Sequence, residues 1–461
     1  MTVLPPPKRP PDKQALAERQ AQPRLQAPIP TAKTAVTAQK RLRVFICSTY
    51  GESGLAIAKR LLSEGHAPEL YILQEDCRAC GKGIVPLVED FPGRFTDYDL
   101  LVSSDKNFAR VVSECGIPAF GPNREAEKME DSRQHGIELM EKHGIAVPPW
   151  KFFQKRQDAE KWIKAHRRCV FKPNGDHAPK MLTYAAKNED SSDLLGVMEF
   201  AEKKYPEVMA EGFVIQQFVD GIEISAGSWF NGVDFLRPIA LNFEHKSFGI
   251  KPYAGPPTGE MGSVSFYTEK SKLFDETTAK MAPYLKKIKY ACDFDINCIL
   301  TEKGPLALEF TPRCGFPAIC LQLSNFDEDF GHLLLNVANG TAKTVKTKAP
   351  WVTGLVYTSP PFPYEDEVRN AKDYEGWPVD GPITTDSDIY PIGVEEKDGQ
   401  IMTTGIGLVA VACGTGKTAK ASKEATYKTL DQLYTPYCYA RTDIGDRVIE
   451  AEPELKKRGY L

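Results

Sequence analysis

Lys172 closes the apolar run Val170-Phe171-Lys172 and is followed at once by the small-residue segment PNGDHAPK. An ammonium group at a strand end beside a pliant loop suits a phosphate grip, because the cation cancels charge while backbone N–H groups close over the oxygens. A solvated strand-end lysine fits the same residues. In QQFVDGIEIS a strand leads through Asp220-Gly221 into another strand that presents Glu223. Backbone groups of such a link can pair an adenine, and the carboxylate can accept two ribose hydroxyls; taken alone, Asp-Gly between apolar runs reads as a hairpin turn. In LALEFTPRCG, Glu309 sits at a strand end with Arg313 four residues on, and Asn297 lies twelve residues before Glu309 on the preceding strand. Antiparallel pairing would bring Asn297 and Glu309 together, and such oxygen ligands beside phosphates suit magnesium. Arg313 then reads as a bidentate hold on a transferring phosphoryl group, or as half of a solvated ion pair. GPPTGEMGS, at 255–263, is a glycine-dense loop through which amides can approach an anion, or a plain surface loop.

Two other patterns carry less. Gly416-Lys417-Thr418 resembles the end of a phosphate-binding P-loop, but the glycine required five positions earlier is Val411. Cys77 and Cys80 have metal-knuckle or redox spacing, yet no second pair stands at a distance that would complete a zinc site, so they read as two loop thiols. The chain has 11 cysteines, an odd number scattered over apparent strands and helices, which fits reduced thiols in the cytoplasm.

The elements that must position these residues follow from periodicity. A strand over 44–47, a small-residue turn, a helix beginning near Ser53, strands at 70–73 and 99–104 and an amphipathic helix over 107–116 suggest βαβ units on a doubly wound parallel sheet. G-x-G-x-x-G is absent, so nothing in this unit indicates a dinucleotide. Further on, the pattern predicts one helix from about 125 to 143, a second from 158 to 166, the strand CVFKP, and strands on either side of Asp220-Gly221. It also predicts a helix near 277–290, adjacent strands in DINCILTEKGPLALEF, a strand in IGLVAVAC and a helix over 419–434.

The whole chain has 461 residues, enough for two to four domains, with 42% hydrophobic and 26% charged residues, an ordinary globular balance. Its net charge of -4 gives no reason to expect nucleic acid, and apolar runs of about six residues predict no membrane span. Residues 1–40 hold seven Lys or Arg, two Asp or Glu, eight prolines and no aromatic residue, and read as a disordered basic tail rather than a transit peptide.

Taken in order, the chemical segments resemble the glycinamide ribonucleotide synthetase family of ATP-grasp ligases, over roughly residues 43–450. FGPNREAEKMEDSR is similar to the family's FGP…E-x-SK stretch, with Arg133 in place of a nucleotide-binding lysine. CVFKPNGDHAPK resembles its strand, lysine and glycine-rich loop, and FVIQQFVDGIEIS its V-x-EEFLDGEE-x-S segment. EHKSFG and GPPTGEMG resemble DHK and GPNTGGMG, LALEFTPRCGFP resembles EFN-x-RFGDP, and YARTDIGDR resembles R-x-DIG. The resemblance implies an α/β chain, α+β in its nucleotide part: an N-terminal doubly wound domain (41–122), an ATP-grasp domain (123–335) and a C-terminal mixed α/β domain (336–461). It implies ATP held by Arg133, Lys172, Gln217, Phe218, Val219 and Glu223, and Mg2+ (or Mn2+) by Glu309, Asn297 and Thr311. Arg313 and Lys172 would be catalytic, and His245, Lys246, Gly255, Thr258, Gly259, Met261, Gly262, Arg441 and Asp443 would lie on the substrate side. The implied reaction joins glycine to phosphoribosylamine through an acyl phosphate in purine biosynthesis, in a cytoplasmic monomer or homodimer.

The chain departs from the family pattern in several places. The metal-binding Asn after EF is Thr311, the loop after Lys172 carries Asp176, His177 and Pro179 instead of glycines, and GDPE is GFPA at 315–318. The hinge EE is Gln216-Gln217, and GNGGREHA has become STYGESGL. Two alternatives therefore stand beside the glycine ligase: an ATP-grasp ligase with another substrate pair, and a catalytically weakened binding protein of the same fold.

Overall fold

The structure is a computed structural model that describes residues 40–175, 182–250, 255–256, 258–259, 261–364, 371–383 and 387–461. The expected tail, apart from Lys40, and the loop residues Asp176, His177 and Pro179 lie outside the described residues. Residues Arg41–Leu461 form one contact unit.

The first apolar runs build a parallel sheet. β1 (Arg43–Ser48), β2 (Ala67–Ile72), β3 (Leu87–Val88), β4 (Leu100–Ser103) and β5 (Ala119–Phe120) lie in the order β3-β2-β1-β4-β5. Every residue of β4, and all but the first of β1, is buried, as expected for a sheet covered on both faces. Gly51, at φ 89°, turns the chain from β1 into the helix Glu52–Ser63; an added Cβ there would meet Ile72 at 2.8 Å. Strand order reverses between β1 and β4, which opens a crevice at their carboxyl ends.

The single helix expected over 125–143 is two, Arg124–Asp131 and Arg133–Lys142. Ser132 adopts an extended conformation between them, and its hydroxyl accepts from His135 N, capping the second helix. The break starts a new helix at Arg133. The helix expected near 277–290 is a 3-10 turn Thr278–Met281 and the short helix Ala282–Lys287, preceded by a separate helix Lys272–Glu276; Thr277 leaves the helical region and its hydroxyl donates to Leu273 O.

Two antiparallel sheets follow. β6 (Trp150–Phe153), β7 (Cys169–Pro173), β8 (Tyr184–Ala185) and β9 (Phe213–Gln217) form the smaller, in the order β6-β9-β7-β8. Phe153, Phe171, Phe213 and Ile215 pack there with Ile163, Leu194 and Met198 of the covering helices. β10 (Ile222–Asn231), β11 (Ile239–Glu244), β12 (Gly262–Thr268), β13 (Ala291–Thr301), β14 (Gly304–Thr311) and β15 (Trp351–Thr358) belong to the larger one. Of the remaining strands, β16 (Glu375–Pro378), β17 (Ile389–Pro391), β18 (Val394–Lys397), β19 (Gln400–Thr404) and β20 (Leu408–Gly416), β17 and β20 complete the large sheet. Its order is β14-β13-β10-β11-β12-β15-β20-β17, so it runs on across residue 336, while β16-β19-β18 stand apart.

The hairpin reading of Asp220-Gly221 is corrected. β9 lies in the small sheet and β10 in the large one, so residues 218–221 cross between sheets instead of turning back. Gly221 is needed for the crossing, because an added Cβ would lie 2.5 Å from Leu300 O. The P-loop resemblance also dissolves into packing: Cβ atoms on Gly414 and Gly416 would strike Thr426 N at 2.3 Å and Ser422 N at 2.4 Å, in the helix Ala419–Leu430 that lies on β20. Cys77 and Cys80 are buried thiols, and Cys80 Sγ lies 3.3 Å from Thr404 Oγ1. No helix among the described residues is long and apolar enough to cross a membrane.

Candidate active site

The β13–β14 hairpin sets Asn297 opposite Glu309 and Asp295 opposite Thr311, with a bulge after Asn297. The two-residue link between these strands fixes that register locally. Glu309 is then reached from two sides. Arg133, at the start of its helix, places Nη1 3.3 Å from Oε2, and Lys246, just past β11, places Nζ 3.7 Å from Oε1. Arg133 is itself held by Pro173 O at 3.0 Å through Nε, and its amide donates to Asn174 Oδ1 at 3.0 Å, which ties this helix to the end of β7.

Lys246 also approaches Glu244 Oε2 at 2.9 Å and Glu223 Oε1 at 3.4 Å. Lys172, on β7, is 8% exposed. Burial lowers its pKa to about 8, against the opposing pull of Glu309 and Glu223. Burial works against the charged form of Lys246 too, but Glu244, Glu309 and Glu223 outweigh it and hold the ammonium firmly protonated. For Glu309, desolvation works upward while Lys246, Arg133 and Lys172 pull the pKa down to about 2. Three cations and three carboxylates thus meet where the small sheet faces the edge of the large one.

Buried oxygens lie next to this cluster. Asn297 Oδ1 and Ser225 Oγ, on paired positions of β13 and β10, have no hydrogen-bond partner among the described residues. With Glu309 they form an oxygen-only donor set that suits a hard divalent cation. Thr311 is engaged differently, because its hydroxyl is hydrogen-bonded to Asp295.

The link 217–219 is partly occupied. The amide of Gln217 donates to Pro149 O at 2.8 Å and that of Phe218 to Arg168 O at 2.8 Å, while the Arg168 guanidinium covers the Phe218 ring at 3.6 Å. Neither amide is available to a base, so the adenine contact expected of Gln217 and Phe218 cannot run through their N–H groups.

The expected substrate residues do gather. His245 N donates to Gly262 O at 2.9 Å, Met261 N to His245 O at 2.8 Å, and both Thr258 N and its hydroxyl to Lys246 O. Gly255 and Gly259 are exposed on the same loop, and Gly255 has φ 105°. Arg441 and Asp443 form a fork at 2.8 and 2.6 Å, and Arg441 Nη1 holds Ser247 O at 2.9 Å. This pair clamps the loop base. His245 is buried, and burial with the Arg447 and Arg441 charges lowers its pKa to about 3, so it stays neutral.

Arg313 is not open either. Nε and Nη2 both reach Glu130 Oε1, at 3.2 and 3.1 Å, and Glu130 raises the guanidinium pKa further. Sequence reasoning missed Glu130, and also Asp105, Asp293 and Asp295. Asp105 Oδ2 accepts from Thr49 N and Oδ1 from Thr49 Oγ1, each at 2.7 Å, in the crevice between β1 and β4. One signal for the strand acids was present: Cys-Asp-Phe-Asp-Ile-Asn at 292–297 puts three polar side chains on one face of what is otherwise a buried strand.

The chain is similar to known proteins over much of its length. The family model described as phosphoribosylglycinamide synthetase, ATP-grasp (A) domain, matches residues 131–319. The phosphoribosylamine–glycine ligase of Streptococcus pneumoniae is 27% identical over 352 residues, covering 73% of this chain and 80% of that protein. That of Streptococcus pyogenes is 27% identical over 420 residues, covering 86% and 96%. Among solved structures, the Thermotoga maritima phosphoribosylamine–glycine ligase superposes with a TM-score of 0.70 at 22% identity, over 87% of this chain and 100% of the other. A Campylobacter jejuni biotin carboxylase gives 0.62 at 11% identity, over 91% and 97%. The fold is ATP-grasp.

Proposed function

We propose that this chain, a divergent ATP-grasp protein of the phosphoribosylglycinamide synthetase type, is an ATP-dependent ligase that joins the carboxylate of glycine to the amine of 5-phosphoribosylamine, in purine nucleotide biosynthesis. One observation carries the reading: Glu309, set in register with Asn297, is gripped by Arg133 and Lys246 from opposite sides. A cluster of this kind, next to buried Lys172, suits a polyphosphate and a divalent ion better than it suits a structural ion-pair network, because the oxygen of Asn297 has no hydrogen-bond partner among the described residues.

Glu309 and Asn297 would hold Mg2+ (or Mn2+), with Thr311 turned toward Asp295 instead. Such an ion supplies charge neutralisation on the phosphate oxygens. Arg133, Lys172 and Lys246 add fixed positive charge around the terminal phosphate, preorganised by their carboxylate partners. A glycine carboxylate oxygen attacks the γ-phosphorus of ATP and ADP departs. The amine then attacks the acyl carbon, phosphate leaves, and the amine gives up a proton. Neither step uses a protein nucleophile, so rate comes from positioning and exclusion of water. His245, Lys246, Thr258 and Gly262, anchored beside Arg441 and Asp443, would line the substrate side of the site. Adenine contact falls to other backbone atoms of the crossing link, Val219 included, with Glu223 near the ribose. Relatives of this kind act in metabolism, and the reading includes a cytoplasmic monomer or homodimer.

One observation favours a different amine. A phosphate on the amine substrate would need donors in the crevice between β1 and β4, and there Asp105 already takes the amide and hydroxyl of Thr49. Phosphate release measured with ATP, Mg2+, glycine and phosphoribosylamine tests the first reading. Release that requires glycine but not phosphoribosylamine would replace it with the second.

A further inference from the structure

We propose that a cavity beside Asp293 and Asp295 takes the ammonium group of the carboxylate substrate, so that the protein binds an α-amino acid as its zwitterion. The inference rests on the ligase reading above and assigns the residues that would recognise the ammonium end of its carboxylate substrate.

Asp293, Asp295 and Asn297 alternate along β13 and so point to one face of the large sheet. Asn297 stands at the Glu309 pair, and the two aspartates step away from it along the strand. They line a cavity of about 20 Å³ together with Asn242, Tyr267 and Gln322. That volume admits one water-sized group, which is also the size of an –NH3+ head. Its polar lining is incomplete: Asp295 Oδ1 and the Tyr267 hydroxyl, on residues 9% and 7% exposed, have no hydrogen-bond partner among the described residues. Gln322 is fixed by Trp229, whose indole N–H donates to Oε1 at 3.1 Å, so its amide nitrogen turns to Asp293 Oδ2 at 2.6 Å.

Two carboxylates therefore share a small buried space, and among the described residues neither forms an ion pair with a Lys or Arg. Both aspartates are buried, at 7% and 9% exposure. Such a site is completed by a cationic donor of several hydrogen bonds, which an ammonium group provides. The Arg313 guanidinium, bonded to Glu130, acts on both aspartates through its charge without pairing with either. Gly227 fixes Asp295 from the paired strand, since an added Cβ would lie 2.3 Å from Asp295 Cβ.

The test is calorimetric binding to the full chain loaded with Mg2+ and a non-hydrolysable ATP analogue. Glycine should bind at least ~100-fold more tightly than glycolate, which replaces the ammonium by a hydroxyl, because a site built for a hydrogen-bonding group rejects its analogue strongly. Asp295→Asn should abolish that preference, keep nucleotide affinity, and melt no lower than the parent protein. Equal binding of glycolate and glycine, or an Asp295→Asn enzyme with lowered kcat but an unchanged KM for glycine, would overturn the proposal. Turnover of ATP with glycine and hydroxylamine, but none with phosphoribosylamine, would reject the amine assigned above and still support the ammonium site.

Discussion

The two halves of the cleft handle charge in opposite ways. Around Glu309, three cations and three carboxylates compensate one another, with Arg133 and Lys246 reaching its carboxylate from different elements. Along β13, Asp293 and Asp295 are packed beside a sheet face and a helix, where Gln322 and the Phe294 amide bond the first and Thr311 the second. The charges of the first region are compensated without a ligand, and beside them the oxygens of Asn297 and Ser225 have no hydrogen-bond partner among the described residues. The second is unfinished and pays a desolvation cost until a cation or protons enter it. A charge cluster in a cleft therefore says different things about function depending on whether the protein itself closes its electrostatics.

The largest expected effect breaks the nucleotide side. Lys172→Ala and Glu309→Ala should each lower phosphate release by at least ~100-fold, as when one preorganised charge contact is removed. Near-parental rates in both would take these residues out of the chemistry. Next, affinity for an ATP analogue should fall about tenfold per unit as pH rises above about 8, because Lys172 is cationic below that value and neutral above it. In Lys172→Arg the fall should vanish, since a guanidinium keeps its charge; titration calorimetry from pH 7 to 9.5 decides.

On the acceptor side, Gly227→Ala forces a methyl against Asp295 and Phe294 O, at 2.3 and 2.6 Å. It should cost ~1–3 kcal/mol, as overpacking does, and thermal melts should show it. The smallest effect concerns Asp293. Its folded pKa of about 6 lies above the ordinary 3.8, so its contribution to stability is full below 3.8 and is lost as pH rises through 6. Asp293→Asn should flatten the melting temperature between pH 4 and 6, by about 2 °C at the upper end. A slope identical to that of the parent would mean that the carboxylate is solvated and that the contrast between the two regions is false.

How legible was this site? The Asn297–Glu309 pair was readable because two strands joined by a tight link can meet in few registers, and the spacing of twelve residues fits one of them. Lys172 was readable for a similar local reason, as the last polar step of an apolar strand. The crossing at Asp220-Gly221 was not, since the same residues serve a hairpin when both strands share a sheet, and only the assembled sheets separate the two outcomes. The break at Ser132 also escaped periodicity, because a serine tolerated within a helix and one that caps the next helix look alike until the chain folds back. There Gly136 comes so close to Met129 O that an added Cβ would lie at 2.7 Å.

The amino-acid sequence by itself determined the strands, the strand-end lysine, the hairpin that carries Glu309, and the ordered set of segments that resembles an ATP-grasp ligase. Short-range sterics and alternation of side chains settle those without help from distant residues. Tertiary structure alone decided that Arg313 belongs to Glu130, that Arg441 and Asp443 clamp a loop, that Asp105 fills the crevice at Thr49, and that Asp293 and Asp295 share a small cavity. Those outcomes depend on which charges meet and how much water is left between them, and such meetings join residues as far apart as 130 and 313.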